Sequence, residues 1–376
     1  MKKKILLIPL ALILIISLVA CAAPAPAPAP APTTTVTAPA PTATATTTTT
    51  TTATATVTKT AEAPKLDYNW RYAGVAAPDM PSSARDEAYC ERVLELSDNR
   101  IQIDPFTGNA LGDWISTFEE VMRGTIEISK TCLATKFDPR IDVVYIPTLV
   151  STWEEAKIAY TPGGFVYDTA REIGLDLGYE TLGCDGLGFI GMATSKPVPS
   201  PGDPDVPKGL KIRTWAAKSP ELILKRFGYT ATVLPWNDVF SGMQTGIIDG
   251  EIGADAVSTH DWLRDVVKYY LPVNVLFEGH FYLVNLELWN SLSIEDQGIL
   301  RKAALEGQDK SFAETEQDEL DYMQKMRDYG IEVIEFTADE RAAMKQACID
   351  DVWPELYGSI GKKIIDDAVA WVATLK

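Results

Sequence analysis

The sequence predicts an α/β protein with room for two domains and one unusually long helix touching both. Three observations carry this. Apolar residues alternate as strands do at Tyr68-Asn69-Trp70-Arg71-Tyr72 and Ile101-Gln102-Ile103, with a helical face of Tyr89, Val93 and Leu96 between them. About 310 residues follow a low-complexity start, enough for two domains at the usual ~150 residues each. Beyond Ser293 a single helical pattern runs to about Tyr329, before Gly330; at ~1.5 Å per residue such a helix exceeds 50 Å, more than one small domain's width.

The chain opens with Lys2, Lys3 and Lys4, then an apolar run from Ile5 to Ala20. That run falls short of the ~20 residues a spanning helix needs, so it reads as the h-region of a signal peptide over residues 1–20. It ends in Leu18-Val19-Ala20-Cys21, which resembles the lipobox of bacterial lipoproteins. The resemblance implies a lipid on Cys21 and a membrane-anchored, extracytoplasmic protein. Residues 21–64 are almost only Ala, Pro and Thr. They cannot bury apolar surface to offset backbone entropy and are expected to serve as a tether.

With 52 acidic against 34 basic residues the formal net charge is −18, so no basic face for nucleic acid is expected. Besides Cys21, the cysteines are Cys90, Cys132, Cys184 and Cys348. Their wide spacing holds no C-x-x-C pair, and buried free thiols are the expectation. Only His260 and His280 could supply imidazole. No metal and no cofactor are therefore expected.

After the first two strands, a helix bearing Phe118, Val121 and Met122 ends at Gly124, and Ile126-Glu127-Ile128 restarts a strand. This β-α-β-α-β order fits parallel crossovers. Ser219-Pro220 is expected to open a helix that Gly228 stops. Thr230–Leu234 reads as a strand, Pro235-Trp236-Asn237 as a turn, and Asp238–Thr245 as a short helix stopped by Gly246. Ser293 caps the long helix in a capping-box arrangement with Asp296, a strand spans 331–336, and Thr337 caps one more helix.

Enzyme motifs are weak. Gly186-Leu187-Gly188-Phe189-Ile190-Gly191 fits G-x-G-x-x-G, yet Met192-Ala193-Thr194-Ser195-Lys196-Pro197 cannot be the helix whose amides would hold a pyrophosphate. No H-E-x-x-H, G-x-S-x-G or Walker A occurs. His260 reads as a helix-start residue and His280 as packing. The adjacent acids Glu119-Glu120, Glu154-Glu155 and Asp350-Asp351 diverge around their helices and read as solvated faces.

Three segments carry a family likeness: Gly209-Leu210-Lys211-Ile212-Arg213, Leu234-Pro235-Trp236, and Met243-Gln244-Thr245-Gly246-Ile247-Ile248-Asp249-Gly250. With Arg100–Ile103, Arg123–Glu127 and Trp289–Ser293 around them in order, they resemble the solute-binding subunits of tripartite ATP-independent periplasmic (TRAP) transporters. The resemblance implies a two-lobed periplasmic-binding-protein fold closing on a small organic carboxylate, with membrane subunits as partners and no catalysis. A lipoprotein sensor of the same fold and a cleft enzyme are the alternatives. It also implies lobes of 65–187 plus 277–318 and 188–276 plus 319–376, with hinges near 187–190 and 274–278.

By the same resemblance Arg213 pairs with the solute's carboxylate, which the planar fork of a guanidinium fits bidentately. Trp236 lines the cleft, and Trp215, two residues beyond Arg213, faces the same side of a strand. Two positions depart from the family pattern. Ile190 stands where many relatives carry a second Arg, and Gly253 falls where many carry Asn. With Trp262, Phe277 and Tyr282 placed around the cleft, the expected solute is a monocarboxylate with an apolar or aromatic body. Arg264 or Lys196 is the alternative source of a second cation.

Overall fold

The computed structural model describes residues 66–375. The expected signal peptide, the expected tether and Cys21 lie outside the described residues.

Two sheets organise the fold. The first has the order β2-β1-β3-β10-β4 and joins β1 (Tyr68–Gly74), β2 (Ile101–Phe106), β3 (Ile128–Thr131), β4 (Tyr179–Phe189) and β10 (Phe277–Asn285). The second runs β11-β9-β5-β8-β6-β7, from β5 (Met192–Thr194), β6 (Lys211–Thr214), β7 (Thr230–Val233), β8 (Gly250–Ile252), β9 (Tyr269–Leu271) and β11 (Glu332–Val333). In the first sheet β1 lies parallel to both β2 and β3, as the crossover spacing predicts, and β10 is antiparallel to β3 and β4. The expected strand over 331–336 is only the two-residue β11.

The chain passes between the sheets where β4 gives way to β5 and where β9 gives way to β10. There Ile190 N–H donates to the Leu276 carbonyl at 2.9 Å and Gly191 N–H to Ala254 at 3.0 Å. The glycines of 186–191 thus sit on a strand and a crossing, followed by another strand, which removes the dinucleotide reading. They mark close approach: a Cβ on Gly186 would fall 3.0 Å from the Phe312 ring, and one on Gly191 within 2.4 Å of Tyr270.

Helices α1 (Pro81–Leu96), α2 (Trp114–Arg123), α3 (Trp153–Tyr160) and α4 (Phe165–Leu177) precede β4. Then come α5 (Lys218–Arg226), α6 (Val239–Thr245), α7 (Ala256–Leu263), α8 (Leu286–Ser291) and α9 (Ile294–Tyr329). Several ends follow the sequence signals. Gly124 and Gly246 close α2 and α6 in the left-handed conformation, and Ser293 Oγ accepts the Asp296 N–H at the start of α9. Helix α5 begins at Lys218, two residues before Pro220, because the Asp142 carboxylate accepts the Ser219 N–H at 2.8 Å and fixes that first turn.

Helix α9 has 36 residues, about 54 Å at ~1.5 Å each. It packs on α1 and β4 of the first sheet and on α7 and β11 of the second, as its length predicts. The C-terminal helix Lys362–Thr374 packs on α4, with Trp371 stacked on Phe165 at 6.1 Å, although the expected division puts it in the other lobe. No helix among the described residues is long and apolar enough to cross a membrane.

The second sheet depends on a bare position at Gly250, where a Cβ would lie 2.4 Å from the Ala193 carbonyl oxygen. Backbone cannot swing aside as a side chain can, so Gly250→Ala is expected to cost about 1–3 kcal/mol in urea denaturation. An unchanged midpoint would show that β5 and β8 part freely.

Candidate functional site

A cavity of about 130 Å³ lies between the two sheets. This is several times the ~10–15 Å³ that one water requires on the same measure, so it suits a small organic solute.

The second sheet presents Arg213 and Trp215 from the end of β6, Trp236 from the turn after β7, and Gly253 just past β8. Arg213 is 3 % exposed. Its Nε donates to the Leu234 carbonyl at 2.8 Å, and its guanidinium lies 5.4 Å from the Trp236 ring centroid. Gly253 makes this possible. Its φ is +145°, and a Cβ there would meet Arg213 Nη1 at 3.0 Å and Trp215 at 3.2 Å. Trp215 is held edge-on to Tyr145, ring centroids 5.0 Å apart.

The register pairs Arg213 with Glu251 across β6 and β8, yet Nη1 and Oε2 are 3.9 Å apart. Neither Glu251 oxygen has a hydrogen-bond partner among the described residues. Burial pushes the Glu251 carboxyl up to about 8, against the pull of Arg213. The two groups are out of hydrogen-bond contact, so Arg213 faces the cavity with no carboxylate bonded to it. Burial correspondingly lowers the Arg213 pKa.

The first sheet supplies a second guanidinium that sequence reasoning missed. Arg85, in the first turns of α1, lines the cavity, but its Nε donates to Asp185 Oδ1 at 2.6 Å. Lys130 Nζ sits 2.6 Å from both Asp185 and Asp86, and Tyr72 and Ser82 complete the network with hydroxyl donors. Burial alone would raise Asp185; Lys130 and Arg85 overcome it and hold the carboxyl well below its usual range. Two cations meet two carboxylates here, so Arg85 is already balanced.

Leu187 reaches the cavity through a register shift. Glu278 opposes Gly188 and Gly279 opposes Gly186, which leaves Leu187 as the extra residue of a bulge. Cys132, Glu278 and His280 line the same wall, and burial lowers the imidazole to about 3 and raises Glu278 to about 8. Asp113, Asp255 and Asp318 also line the cavity; the first two cap α2 and α7, each accepting a backbone N–H at 2.8 Å.

A sequence profile of the bacterial extracellular solute-binding proteins, family 7, matches residues 72–359. The chain belongs to that family. Among characterised relatives, the ectoine/5-hydroxyectoine-binding periplasmic protein UehA of Ruegeria pomeroyi is 24 % identical over 81 % of this chain and 90 % of its own length. The C4-dicarboxylate-binding periplasmic protein DctP of Rhodobacter capsulatus is 24 % identical over 78 % of this chain and 88 % of its own. A TRAP periplasmic solute-binding protein of Haemophilus influenzae, solved with L-gulonate, superposes with a TM-score of 0.74 at 21 % identity, covering 82 % of this chain and all of that one. The family-7 fold is therefore the two-lobed fold that the motifs imply.

Other expected site residues of this family-7 chain lie elsewhere. Ile190 is fully buried in the hydrophobic core at the crossing, so it does not stand in the cavity in place of a second Arg. Tyr282 is fully buried between Tyr89 and Lys130. It shares the β10 face of Glu278 and His280, but about 7 Å beyond His280. Phe277 packs in the core with Phe189 and Phe312, whereas Trp262 does line the cavity. Lys196 pairs with Asp249 at 2.6 Å and Arg264 lies over Tyr329, so neither supplies the second cation. His260 falls in the last turn of α7 rather than at a helix start. Cys90, Cys132, Cys184 and Cys348 form no disulfide.

Glu251 yields a pH test. Its folded pKa of about 8 exceeds the ordinary 4.5, so the folded state keeps a proton that the unfolded chain releases. Its share of stability is complete below about 4.5 and is lost as pH rises to about 8. Relative to Glu251→Gln, wild type is expected to lose stability across that window in urea denaturation. A difference that stays constant with pH rejects the assignment.

Proposed function

We propose that this family-7 protein is the extracytoplasmic receptor of a TRAP-type transporter and that its solute is a small monocarboxylate with an apolar or aromatic body. The observation that carries the reading is the guanidinium of Arg213, buried against the cavity with no carboxylate hydrogen-bonded to it. An uncompensated buried cation is costly, and a carboxylate that fits its fork relieves the cost. Trp215, Trp236 and Trp262 offer apolar surface for the rest of the solute; burying one side chain-sized group there contributes about 1.5–3 kcal/mol.

The preference for one carboxylate rests on charge balance and not on Ile190. Arg85 is already matched by Asp185, and Asp113, Asp255 and Asp318 make the remaining walls unfavourable to a second carboxylate. Delivery to membrane subunits, a lipid on Cys21 and a position outside the cytoplasm complete the proposal, supported by family membership and the opening residues of the sequence. Binding without turnover is part of the same reading.

A thermal-shift screen tests the solute class. Stabilisation by branched-chain or aryl monocarboxylates and none by succinate or malate is expected; the reverse pattern rejects it. With the best acid from that screen, Arg213→Ala is expected to weaken binding by about 2–5 kcal/mol in titration calorimetry while circular dichroism stays unchanged. Equal affinity in the folded variant would remove Arg213 as the anchor. Small-angle scattering is expected to show a smaller radius with saturating acid, as closure about 187–190 and 274–278 requires; an identical radius indicates a rigid module.

A further inference from the structure

We propose that Cys132, Glu278 and His280 form a divalent transition-metal site in the wall of the cleft, of the class that takes zinc or cobalt. The sequence gives no sign of it, because Cys132 stands far from the other two along the chain. The sheet assembles it. Strands β3 and β10 are antiparallel with Thr131 opposite Phe281, so the next pair sets Cys132 opposite His280. Directly opposed residues bring their side chains together on one face. Glu278 lies two residues from His280 on the same strand and so shares that face.

The distances suit a single ion. Cys132 Sγ is 3.1 Å from His280 Nε2, and His280 Nε2 is 3.6 Å from Glu278 Oε1. All three donor atoms fall within 4.8 Å of one another. Donors around a tetrahedral zinc, with bonds near 2.0–2.3 Å, stand about 3.3–3.8 Å apart. The set therefore needs only small side-chain adjustments to close on a metal.

Donor chemistry selects the class. Thiolate with imidazole and carboxylate is a borderline-soft set, which calcium and magnesium, preferring oxygen throughout, do not favour. The Tyr145 hydroxyl donates to Glu278 Oε1 at 3.3 Å, the kind of outer hydrogen bond that orients a ligating carboxylate. Three protein donors leave a tetrahedral ion one open position, and all three residues line the cavity. A solute in the cleft would fill that position with an oxygen or nitrogen of its own; this last step rests on the receptor reading, whereas the metal site does not.

The test uses the full chain without a histidine tag, reduced by a phosphine rather than a thiol. Titration with Co²⁺ is expected to saturate at one equivalent, with a thiolate-to-cobalt charge-transfer band in the near ultraviolet that Zn²⁺ abolishes. Cys132→Ser removes the band and weakens Zn²⁺ binding by more than about 100-fold, since losing a ligand outweighs losing an outer-shell partner. Glu278→Gln, which keeps the thiol, retains the band but weakens binding in the same direction. Absence of the band in wild type, or Zn²⁺ affinity equal in wild type and Cys132→Ser, overturns the site. The carboxylate screen, run with and without Zn²⁺, separates the two proposals. One equivalent of metal with no carboxylate response upholds the metal site and fails the receptor reading. Carboxylate stabilisation with no metal uptake does the opposite.

Discussion

The antiparallel ladder between β4 and β10 is the constraint on which the rest of the molecule depends. It pairs Tyr179 with Asn285 at one end and Phe189 with Phe277 at the other, in the middle of the fold. Both strands then leave toward the second sheet. Ladders satisfy β10 on both sides, whereas β4 is the edge of its sheet and is buried because its outward Cys184 and Gly186 N–H groups donate to Gln308 Oε1 and Ser311 Oγ of α9. The cost is geometric, because whatever they carry is set at fixed intervals. Asp185, Leu187, Glu278 and His280 all hang from this one ladder, and a single register shift in it turns Leu187 toward the cavity. The wall of the cleft on this side is therefore a property of strand pairing.

Electrostatics distinguishes the two guanidiniums of the cleft, one on each wall. Arg85 and Arg213 are almost equally buried, at 4 % and 3 % exposed, yet their situations differ. Arg85 belongs to a closed set of two cations and two carboxylates, and its side chain is held by Asp185. Arg213 has a backbone carbonyl, an aromatic face and the Glu251 carboxyl 3.9 Å away, whose pKa burial raises. Positive charge not bonded to a carboxylate is thus concentrated at one point of the cleft. A fold that places a guanidinium there does so at the expense of its own stability, because desolvation is offset only in part.

How far the sequence foretold this differs from residue to residue. Turn and cap chemistry is local, so Gly124, Gly246, Ser293 and Thr337 marked helix ends from the chain alone. Arg213 was legible because it ends a short strand inside a recognisable motif, and Trp215 because two residues along a strand return to the same face. Arg85 was not, since its place beside the cavity depends on where the first turn of α1 meets β4, about a hundred residues later. The Cys132–His280 pairing was hidden for the same reason. Tyr282 was misplaced by distance alone: its face was right, but Lys130 lies over it deeper in the sheet. Ile190 was misplaced because an alignment on the following Thr194-Ser195-Lys196 cannot show that a bulge has already turned Leu187, and not its neighbour, toward the cavity.

The glycines of β4 set an asymmetry between the two walls. Gly183 and Gly186 lie against α9, where a Cβ would stand 3.3 Å from the Ala304 carbonyl oxygen and 3.0 Å from the Phe312 ring. That edge of the ladder has no spare volume, and the ionic set around Lys130 admits few exchanges. Trp236, in contrast, stands half-buried in the turn after β7, where a new side chain displaces little. Divergence toward a new solute would therefore run through the second sheet. The first would persist as the inherited half of the molecule, and the history of selection on such a chain would be written unevenly across its two faces.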